Sequence, residues 1–376
     1  MKKKIISIII AILVLTVVIL VGFYIGNSSF RIWTNKYILK KDIGEEELPT
    51  INIEEKDNIS AFAYGNYVAT VGNNTLTIYN QQAKVVSTIN VSITTPKFKS
   101  NGKYLLVADD EKSNIYLIYN DSLQWEKTLD GNISQITVNE NGAVGVVLTG
   151  TTYKSVIVMY DITGEENFRT YLSINSVADL AISNNSKYLS FIEINTTGTV
   201  IDSKVKTISI DKAKNKPNEA IIYTYTTSSN SLLLKIKYDN EKVIAFTDSG
   251  IHTYSDGNDE EILKIESNTS FVDINLNGYI SSIRENSSNI INSEYELQIQ
   301  NTGNKKINTY LINNTVKNMY SNGNVIAISM GNEVEFVNTS GWLIKKFTSI
   351  QNIKDITIGE HAVGIIYKNR IEVLSL

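Results

Sequence analysis

The chain has 376 residues, 35 Lys and Arg against 39 Asp and Glu, and no cysteine. The near balance of charge argues against binding to nucleic acid, and the missing cysteine excludes disulfides, thiolate nucleophiles and Cys-type zinc sites. With 21 Tyr and only 3 Pro, the composition is typical of an all-β protein with polar turns.

The first element is an apolar run from Ile5 to Ile25 that directly follows three lysines. About 21 residues at 1.5 Å each form a helix of roughly 32 Å, which is long enough to cross a bilayer. A cleaved signal peptide is the alternative, but its apolar core would have about 7 to 15 residues followed by a small-residue cleavage site. We therefore expect residues 1–25 to be a Lys-rich tip and a retained transmembrane anchor, with Ile5, Ile12, Val18 and Ile25 as anchor residues.

The basic residues that flank this run predict its orientation. Lys2, Lys3 and Lys4 lie directly against the run, whereas the basic residues of the other flank are spread over residues 31–41. Because positive charge close to a transmembrane segment favours the cytoplasmic side, we expect a single-pass membrane protein with a cytoplasmic N-terminus. Residues 26–49 would then be a juxtamembrane linker, and the large domain would lie outside the cell; the opposite orientation is the alternative.

From about residue 59 a short phrase returns eight times, a turn of Asn, Gly or Asp between two apolar runs. Three of the copies read SNGKYLLVA, ENGAVGVVL and SNGNVIAIS. Successive copies lie roughly 36 to 55 residues apart, which is the range of propeller blades. The spacing predicts an all-β protein, a β-propeller of eight four-stranded blades, or of seven if the irregular fourth unit at 176–230 is miscounted.

The last unit, residues 351–376, has room for only three strands. The segment from Thr50 to Glu54, which is apolar at Ile51 and Ile53, is the natural donor of the missing fourth strand. Pairing the first residues of the domain with the last would remove the open edges of the array. The propeller domain is therefore predicted to span residues 50–376.

The third strand of several units ends on Tyr followed by Asn or Asp, as in LTIYN, YLIYN and VIVMYD. This ending resembles the Trp-Asp position of WD-repeat blades, and the chain resembles quinoprotein-like and YVTN-like bacterial propellers. An anchor followed by a propeller also resembles a family of uncharacterised membrane-anchored proteins of Gram-positive bacteria. Trp-Asp and Gly-His pairs are absent, so the hydrogen-bonded tetrad of WD repeats does not carry over. The resemblance implies the architecture and a surface location, and no activity.

No catalytic, metal or cofactor site is expected from the sequence. His252 and His361 each lie beside an apolar strand, without an arranged carboxylate or nucleophile. The acidic segment 256–261 lacks the spacing of a calcium loop and predicts a solvated turn between the third and fourth strands. The insertion 211–218, which has three lysines, predicts a solvated spacer.

Connections between second and third strands share one rim of a propeller with the connections that join blades. Here they are residues 109–114, 149–155, 195–203 and 285–294, and the last two are long. Long loops on a rigid scaffold often carry function, although tolerated sequence drift is the alternative explanation. The candidate binding rim consists of Asp109, Tyr153, Ile201, Ile290 and Ile291.

These features favour a noncatalytic binding or scaffold module that contacts the membrane through its helix and binds an envelope protein or a cell-wall polymer. The alternative is an extracytoplasmic enzyme that acts on a glycan with carboxylates of the central funnel. That enzyme would need two Asp or Glu side chains that face each other at about 5 to 10 Å.

Overall fold

The computed structural model describes residues 2–26, 30, 34, 38–39, 42–43, 48–53, 59–226, 231–286 and 294–376. Within these residues the strands form eight sheets, and in seven of them four strands follow one another in sequence order. First strands of neighbouring sheets contact each other, and hydrophobic clusters fill the space between adjacent sheets. The prediction of an eight-bladed, all-β propeller is confirmed, and the alternative of seven blades is wrong.

Three elements precede the first complete blade. Helix α1 spans Lys2–Gly26, strand β1 spans Asp42–Ile43 and strand β2 spans Thr50–Asn52. The side chains of α1 from Ile10 to Ile25 are exposed, apart from the partly buried Tyr24. In the part of the chain that the structure describes, no helix has the length and apolar character needed to span a membrane.

The strands of blades 1–4 have conventional lengths and follow in chain order. Blade 1 has β3 to β6, blade 2 has β7 to β10, blade 3 has β11 to β14 and blade 4 has β15 to β18. Their bounds are Ser60–Tyr64, Tyr67–Gly72, Thr75–Tyr79, Val85–Asn90, Pro96–Asn101, Tyr104–Asp109, Asn114–Tyr119, Ser122–Thr128, Asn132–Val138, Val144–Thr149, Ser155–Tyr160, Glu166–Leu172, Ser176–Ile182, Tyr188–Asn195, Asp202–Ser209 and Ile221–Thr226.

Blades 5–8 repeat the same order, except that blade 8 has only three strands of its own. Blade 5 has β19 to β22, blade 6 has β23 to β26, blade 7 has β27 to β30 and blade 8 has β31 to β33. Their bounds are Leu233–Asp239, Lys242–Thr247, Gly250–Ser255, Asn258–Lys264, Thr269–Asp273, Tyr279–Asn286, Glu294–Asn301, Ile307–Ile312, Asn318–Asn322, Val325–Ser329, Glu333–Asn338, Leu343–Thr348, Asp355–Ile358, Ala362–Ile366 and Arg370–Ser375.

Strand β2 closes the ring, as the sequence predicted. It pairs antiparallel with β33, with Ile51 opposite Ile371, and so supplies the outer strand of blade 8. Strand β1 adds an unexpected fifth strand to blade 7, where it runs parallel to the outer strand β30. The stretch expected to be a linker therefore contains a strand that belongs to the propeller.

The second strand of each blade lies near the middle of its sheet, and in blades 2 and 7 it is buried along its whole length. All six residues of β8 and all five of β28 are buried. A strand covered on both faces reads as a continuous apolar run, which is the pattern that the sequence shows at these positions.

The two faces of the ring differ in their connections. We call the turn face the side that has the turns from first to second and from third to fourth strands. We call the loop face the side that has the connections from second to third strands and between blades. At Asn80, Asp161 and Asn338 the side-chain oxygen accepts hydrogen bonds from backbone N–H groups two and four residues further on, at 2.8 to 3.1 Å. An Asn or Asp therefore recurs after the third strand of these blades because its side chain stabilises the turn.

The turn from third to fourth strand in blade 4 contains the insertion expected to be a spacer. It consists of helix α2, Ile210–Asn215, and a 3-10 helix, Pro217–Glu219. Ile210 and Ala213 are buried in the cluster between blades 3 and 4, whereas Lys212 and Lys214 are exposed. The insertion therefore covers the edge of the core instead of being a free spacer.

The closing strand makes a direct prediction about stability. Ile51 is only 3% exposed and packs against Ala63, Val68 and Val373. We expect Ile51→Ala to lower the free energy of unfolding by about 2–4 kcal/mol, because it removes apolar contacts and leaves a cavity at the ring closure. Urea denaturation measures this change, and the exposed neighbour Asn52→Ala should have little effect. Equal stability of the two variants would contradict a role of β2 in closure.

Candidate functional site

The loop face presents two of the five predicted rim residues to solvent. Tyr153 lies between β12 and β13, and Ile201 lies between β16 and β17; both are exposed. Ile290 and Ile291 lie outside the described residues. The fifth residue, Asp109, ends strand β8, and the prediction that it belongs to an exposed rim is wrong.

Asp109 is only 3% exposed. Its carboxylate accepts a hydrogen bond of 2.8 Å from the backbone N–H of Thr95, in the connection that enters blade 2. The loop that follows Asp109 is in turn tied to blade 3, since the N–H of Glu111 donates to the carbonyl of Ile133 at 3.0 Å. Asp109 therefore holds adjacent chain segments together and is not available to a partner, because its side chain turns inward from the rim.

Tyr153 forms an exposed aromatic pair with Tyr171. The ring centroids lie 4.7 Å apart at an interplanar angle of 42°. The hydroxyl of Thr151 accepts a hydrogen bond from the backbone N–H of Tyr153 at 3.1 Å and so fixes the start of this loop. Sequence reasoning missed Tyr171, although strand alternation gives a signal: in β14 the neighbouring positions Phe168 and Leu172 are buried and Tyr171 is not.

Three exposed aliphatic side chains lie on the same face at the adjoining blade. Ile174 is in the connection from blade 3 to blade 4, and Val200 and Ile201 are in the loop of blade 4. Together with the tyrosine pair they form what we call the blade 3–4 rim: Tyr153, Tyr171, Ile174, Val200 and Ile201, which are between 40% and 64% exposed.

Polar contacts attach the connection that contains Ile174 to the strands of blade 4. The side-chain amide of Asn175, next to Ile174, donates to the carboxylate of Glu193 in β16. Glu193 is buried and forms an ion pair with Lys206 in β17. Ile174 therefore lies on a connection that is anchored to the strands β16 and β17.

A second group of polar residues, which we call the axial cluster, lies on the innermost strands. Lys235 and Lys237 are alternate residues of β19. The ammonium of Lys237 donates to the carbonyls of Asn275 and Leu276 at 2.8 and 2.9 Å, and that of Lys235 donates to the Asn275 side chain at 2.8 Å. The other members are Lys99, Asp179 and Asp273.

Burial shifts the pKa values of this cluster. Loss of hydration lowers the pKa of Lys237 to about 8, against the attraction of Asp239 and Asp273. Burial also lowers the pKa of Lys235. For Asp179 burial raises the pKa, and the ammonium of Lys99 acts in the opposite direction. Perturbed pKa values often mark functional sites, but ion-pair networks of structural origin also produce them.

The hydrogen bonds of the axial cluster indicate a structural role. Asp179 accepts from the backbone N–H of Ile236 at 2.9 Å, and Asp273 accepts from the backbone N–H of Asn275 at 2.6 Å. Each of these carboxylates is thus engaged by the protein itself. Within the described residues, no three His, Asp or Glu side chains come together as a metal site.

The two histidines and the acidic segment 256–261 lie in strands and turns of blades 5 and 8. Nδ1 of His252 is 2.8 Å from a carboxylate oxygen of Asp259, a pairing between neighbouring strands of blade 5 that the sequence did not reveal. His361 is exposed in a turn of blade 8, and its backbone N–H donates to Gly65 of blade 1. In the acidic segment only Asp256 and Gly257 form the turn, and the rest belongs to β22.

A hollow of about 470 Å³ opens on the loop face between blades 1 and 2. Tyr116 is one of its lining residues, and the Tyr116 hydroxyl accepts a hydrogen bond of 2.8 Å from the backbone N–H of Ser92. The other lining residues are Asn73, Asn74, Thr75, Asn90 and Val91. The hollow and the blade 3–4 rim are thus chemically different surfaces on the same face.

A family model for DUF5711, described as a family of unknown function, matches residues 40–376, which include the whole ring. The chain belongs to the DUF5711 family. The match begins after α1 and covers the propeller with its two N-terminal strands. No curated protein matches the chain.

Solved propellers are similar to this DUF5711 protein in fold alone. The C-terminal WD40 domain of Sif2 has a TM-score of 0.57 at 9% identity, and covers 87% of this chain and 98% of its own. Sqt1 of Chaetomium thermophilum, solved with the N-terminus of ribosomal protein L10, has a TM-score of 0.53 at 11% identity. The match covers 88% of this chain and 100% of Sqt1. BamB of Moraxella catarrhalis has a TM-score of 0.50 at 10% identity, and the match covers 88% of this chain and 97% of BamB. The expected likeness to WD-repeat propellers is confirmed as a likeness of fold.

The axial cluster of the DUF5711 propeller predicts an alkaline rise in stability. Because burial lowers the pKa of Lys237 to about 8 from 10.5, the unfolded chain binds more protons between these pH values. The free energy of unfolding should therefore increase with pH in this window, by up to about 3 kcal/mol over its full width. Above about pH 10 buried tyrosines oppose this trend, since burial raises the pKa of residues such as Tyr64.

Urea denaturation between pH 8 and about pH 9.5 tests this prediction. Lys237→Met should lose most of the slope even if its overall stability is lower, whereas the exposed Lys242→Met should keep it. An unchanged slope in Lys237→Met would show that the axial ammonium does not titrate in this range.

Proposed function

We propose that this protein is a membrane-anchored, extracytoplasmic propeller of a Gram-positive cell envelope, and that it is a noncatalytic platform for an envelope protein or a cell-wall polymer. The observation that carries the proposal is the exposed pair of Tyr153 and Tyr171 on the same face as the exposed Ile174, Val200 and Ile201. The blade 3–4 rim is the proposed contact surface.

The composition of the rim supports a binding role. Single exposed apolar residues are normal on a protein surface, whereas a group of them on one face indicates an interaction site. Tyrosine is enriched at interfaces because its ring buries a large area while its hydroxyl stays hydrogen-bonded. A pair of tyrosine rings offers the same flat surface to a peptide or to a sugar ring.

The membrane anchor is supported by the sequence and by the surface of α1. The apolar run from Ile5 to Ile25 follows three lysines, and the side chains of Ile12, Val18 and Ile25 are more than half exposed. Such a surface is unfavourable in water, at roughly 25 cal/mol for each Å² of apolar area. Lipid would cover it, and the N-terminal lysines would then lie on the cytoplasmic side.

Fractionation of cells tests the anchor. We expect the full-length protein to stay in the membrane pellet after an alkaline wash, and the double variant Ile12→Asp/Val18→Asp to become soluble, because charges at the centre of an apolar helix oppose insertion. Thr16→Ala is the matched control and should remain in the membrane. Protease added to protoplasts should degrade the propeller; a protected propeller would contradict the extracytoplasmic location.

Capture of the partner tests the rim. Full-length protein is crosslinked in intact cells and purified from the membrane, and binding to purified cell-wall sacculi is measured in parallel. The variant Tyr153→Ala/Tyr171→Ala should reduce specific capture about tenfold or more, because truncation of buried aromatic contacts typically costs more than 1.4 kcal/mol.

The matched control for the rim is Leu123→Ala/Ile162→Ala, which removes two exposed apolar side chains elsewhere on the ring. It should capture the same partner as the unmodified protein. A partner that is captured equally by the rim variant would refute the blade 3–4 rim as the contact surface.

A further inference from the structure

Among the described residues of the N-terminal segment, one aromatic contact and two strand pairings join it to blades 7 and 8. Tyr24, near the end of α1, meets Trp342 edge to face, with ring centroids 6.1 Å apart at 80°. Further along, β1 pairs with β30 of blade 7 and β2 pairs with β33 of blade 8. The end of α1 and the two strands that follow it are therefore each placed against the ring by a contact.

The Tyr24–Trp342 contact lies on the turn face. Trp342 ends the turn between β29 and β30, in which Asn338 Oδ1 accepts a hydrogen bond of 3.0 Å from the Trp342 backbone N–H. Gly341, with a φ of 77°, would place a Cβ only 2.7 Å from the carbonyl oxygen of Thr309. This turn is thus packed tightly against blade 6, and Trp342 has a fixed position on the turn face.

The direction of β1 and β2 gives an independent indication. Strand β30 starts at the turn face, and β1 runs parallel to it, with Asp42 opposite Lys346 and Ile43 opposite Phe347. Strand β33 runs from the loop face to the turn face, and β2 is antiparallel to it. Both N-terminal strands therefore enter their sheets from the turn face.

We infer that the turn face of the propeller lies against the lipid headgroups of the membrane and that the loop face points away from it. This inference rests on the proposed membrane anchor, since α1 is then the element that fixes the bilayer relative to the ring. Trp342 is partly exposed next to the helix end, and tryptophan is favoured at the membrane–water interface.

In this orientation the blade 3–4 rim is held away from the bilayer. The described strands mostly have five to eight residues, so the two faces lie roughly 20 Å apart at about 3.3 Å per residue. The blade 3–4 rim would be held at that height above the bilayer surface, where it is open to a partner in the envelope. The turn face, in contrast, would be shielded from large molecules.

The absence of cysteine from the chain allows a clean test. Single cysteines are introduced on the turn face as Lys103→Cys and Glu360→Cys, and on the loop face as Thr199→Cys and Asn352→Cys; all four positions are exposed. Each full-length variant is labelled with a fluorophore and reconstituted into vesicles of phosphatidylcholine and phosphatidylglycerol that contain a headgroup-labelled quencher lipid.

We expect labels on the turn face to be quenched several-fold more strongly than labels on the loop face. Trp342→Ala, which removes the ring contact with Tyr24, should reduce this difference. Equal quenching on both faces, or stronger quenching on the loop face, would overturn the inference while leaving the anchor intact. Failure of the protein to float with the vesicles would instead refute the anchor itself and this inference with it.

Discussion

The structure depends on the pairing of β2 with β33, which joins the first residues of the domain to the last. Blade 8 lacks a fourth strand of its own, so its outer edge is completed only by β2. Ile51 brings this strand into a cluster with residues of blade 1 and blade 8. Because β1 is paired with blade 7 a few residues earlier, the segment that closes the ring is also the segment that attaches it to α1.

The inner edge of the ring imposes a second constraint. The first strand of each blade has only one neighbour in its sheet. The backbone N–H and C=O groups on its unpaired edge, which faces the axis of the ring, therefore need other partners. Side chains of adjacent blades provide them: Thr357 accepts from the N–H of Ala63 at 2.7 Å, and Asp179 accepts from the N–H of Ile236 at 2.9 Å. The charges of Asp179 and Lys237 in the axial cluster are therefore engaged by backbone groups of neighbouring blades.

The sequence predicted what local chemistry determines. Asn and Gly turns between apolar runs revealed the number of blades, and the three-strand final unit revealed the closing role of Thr50–Asn52. Features that depend on distant partners were not predictable: Asp109 looked like a loop residue until Thr95 supplied its hydrogen bond. Lys237 looked unexceptional because its acceptors, Asn275 and Leu276, lie in the next blade. Tyr171 was missed because its exposure depends on which face of β14 packs against the core, where Phe168 and Leu172 are buried.

The positions of the tether and of the rim around the ring are related. The N-terminal segment is attached to blades 7 and 8, and the exposed apolar residues gather at blades 3 and 4. In a ring of eight these two pairs of blades lie on opposite sides. A small tilt of the ring about its attachment would therefore move the blade 3–4 rim further than other parts of the loop face. Under the proposed function, this arrangement would let the ring adjust to a partner at the side of blades 3 and 4 while its closure stays fixed at blades 7 and 8.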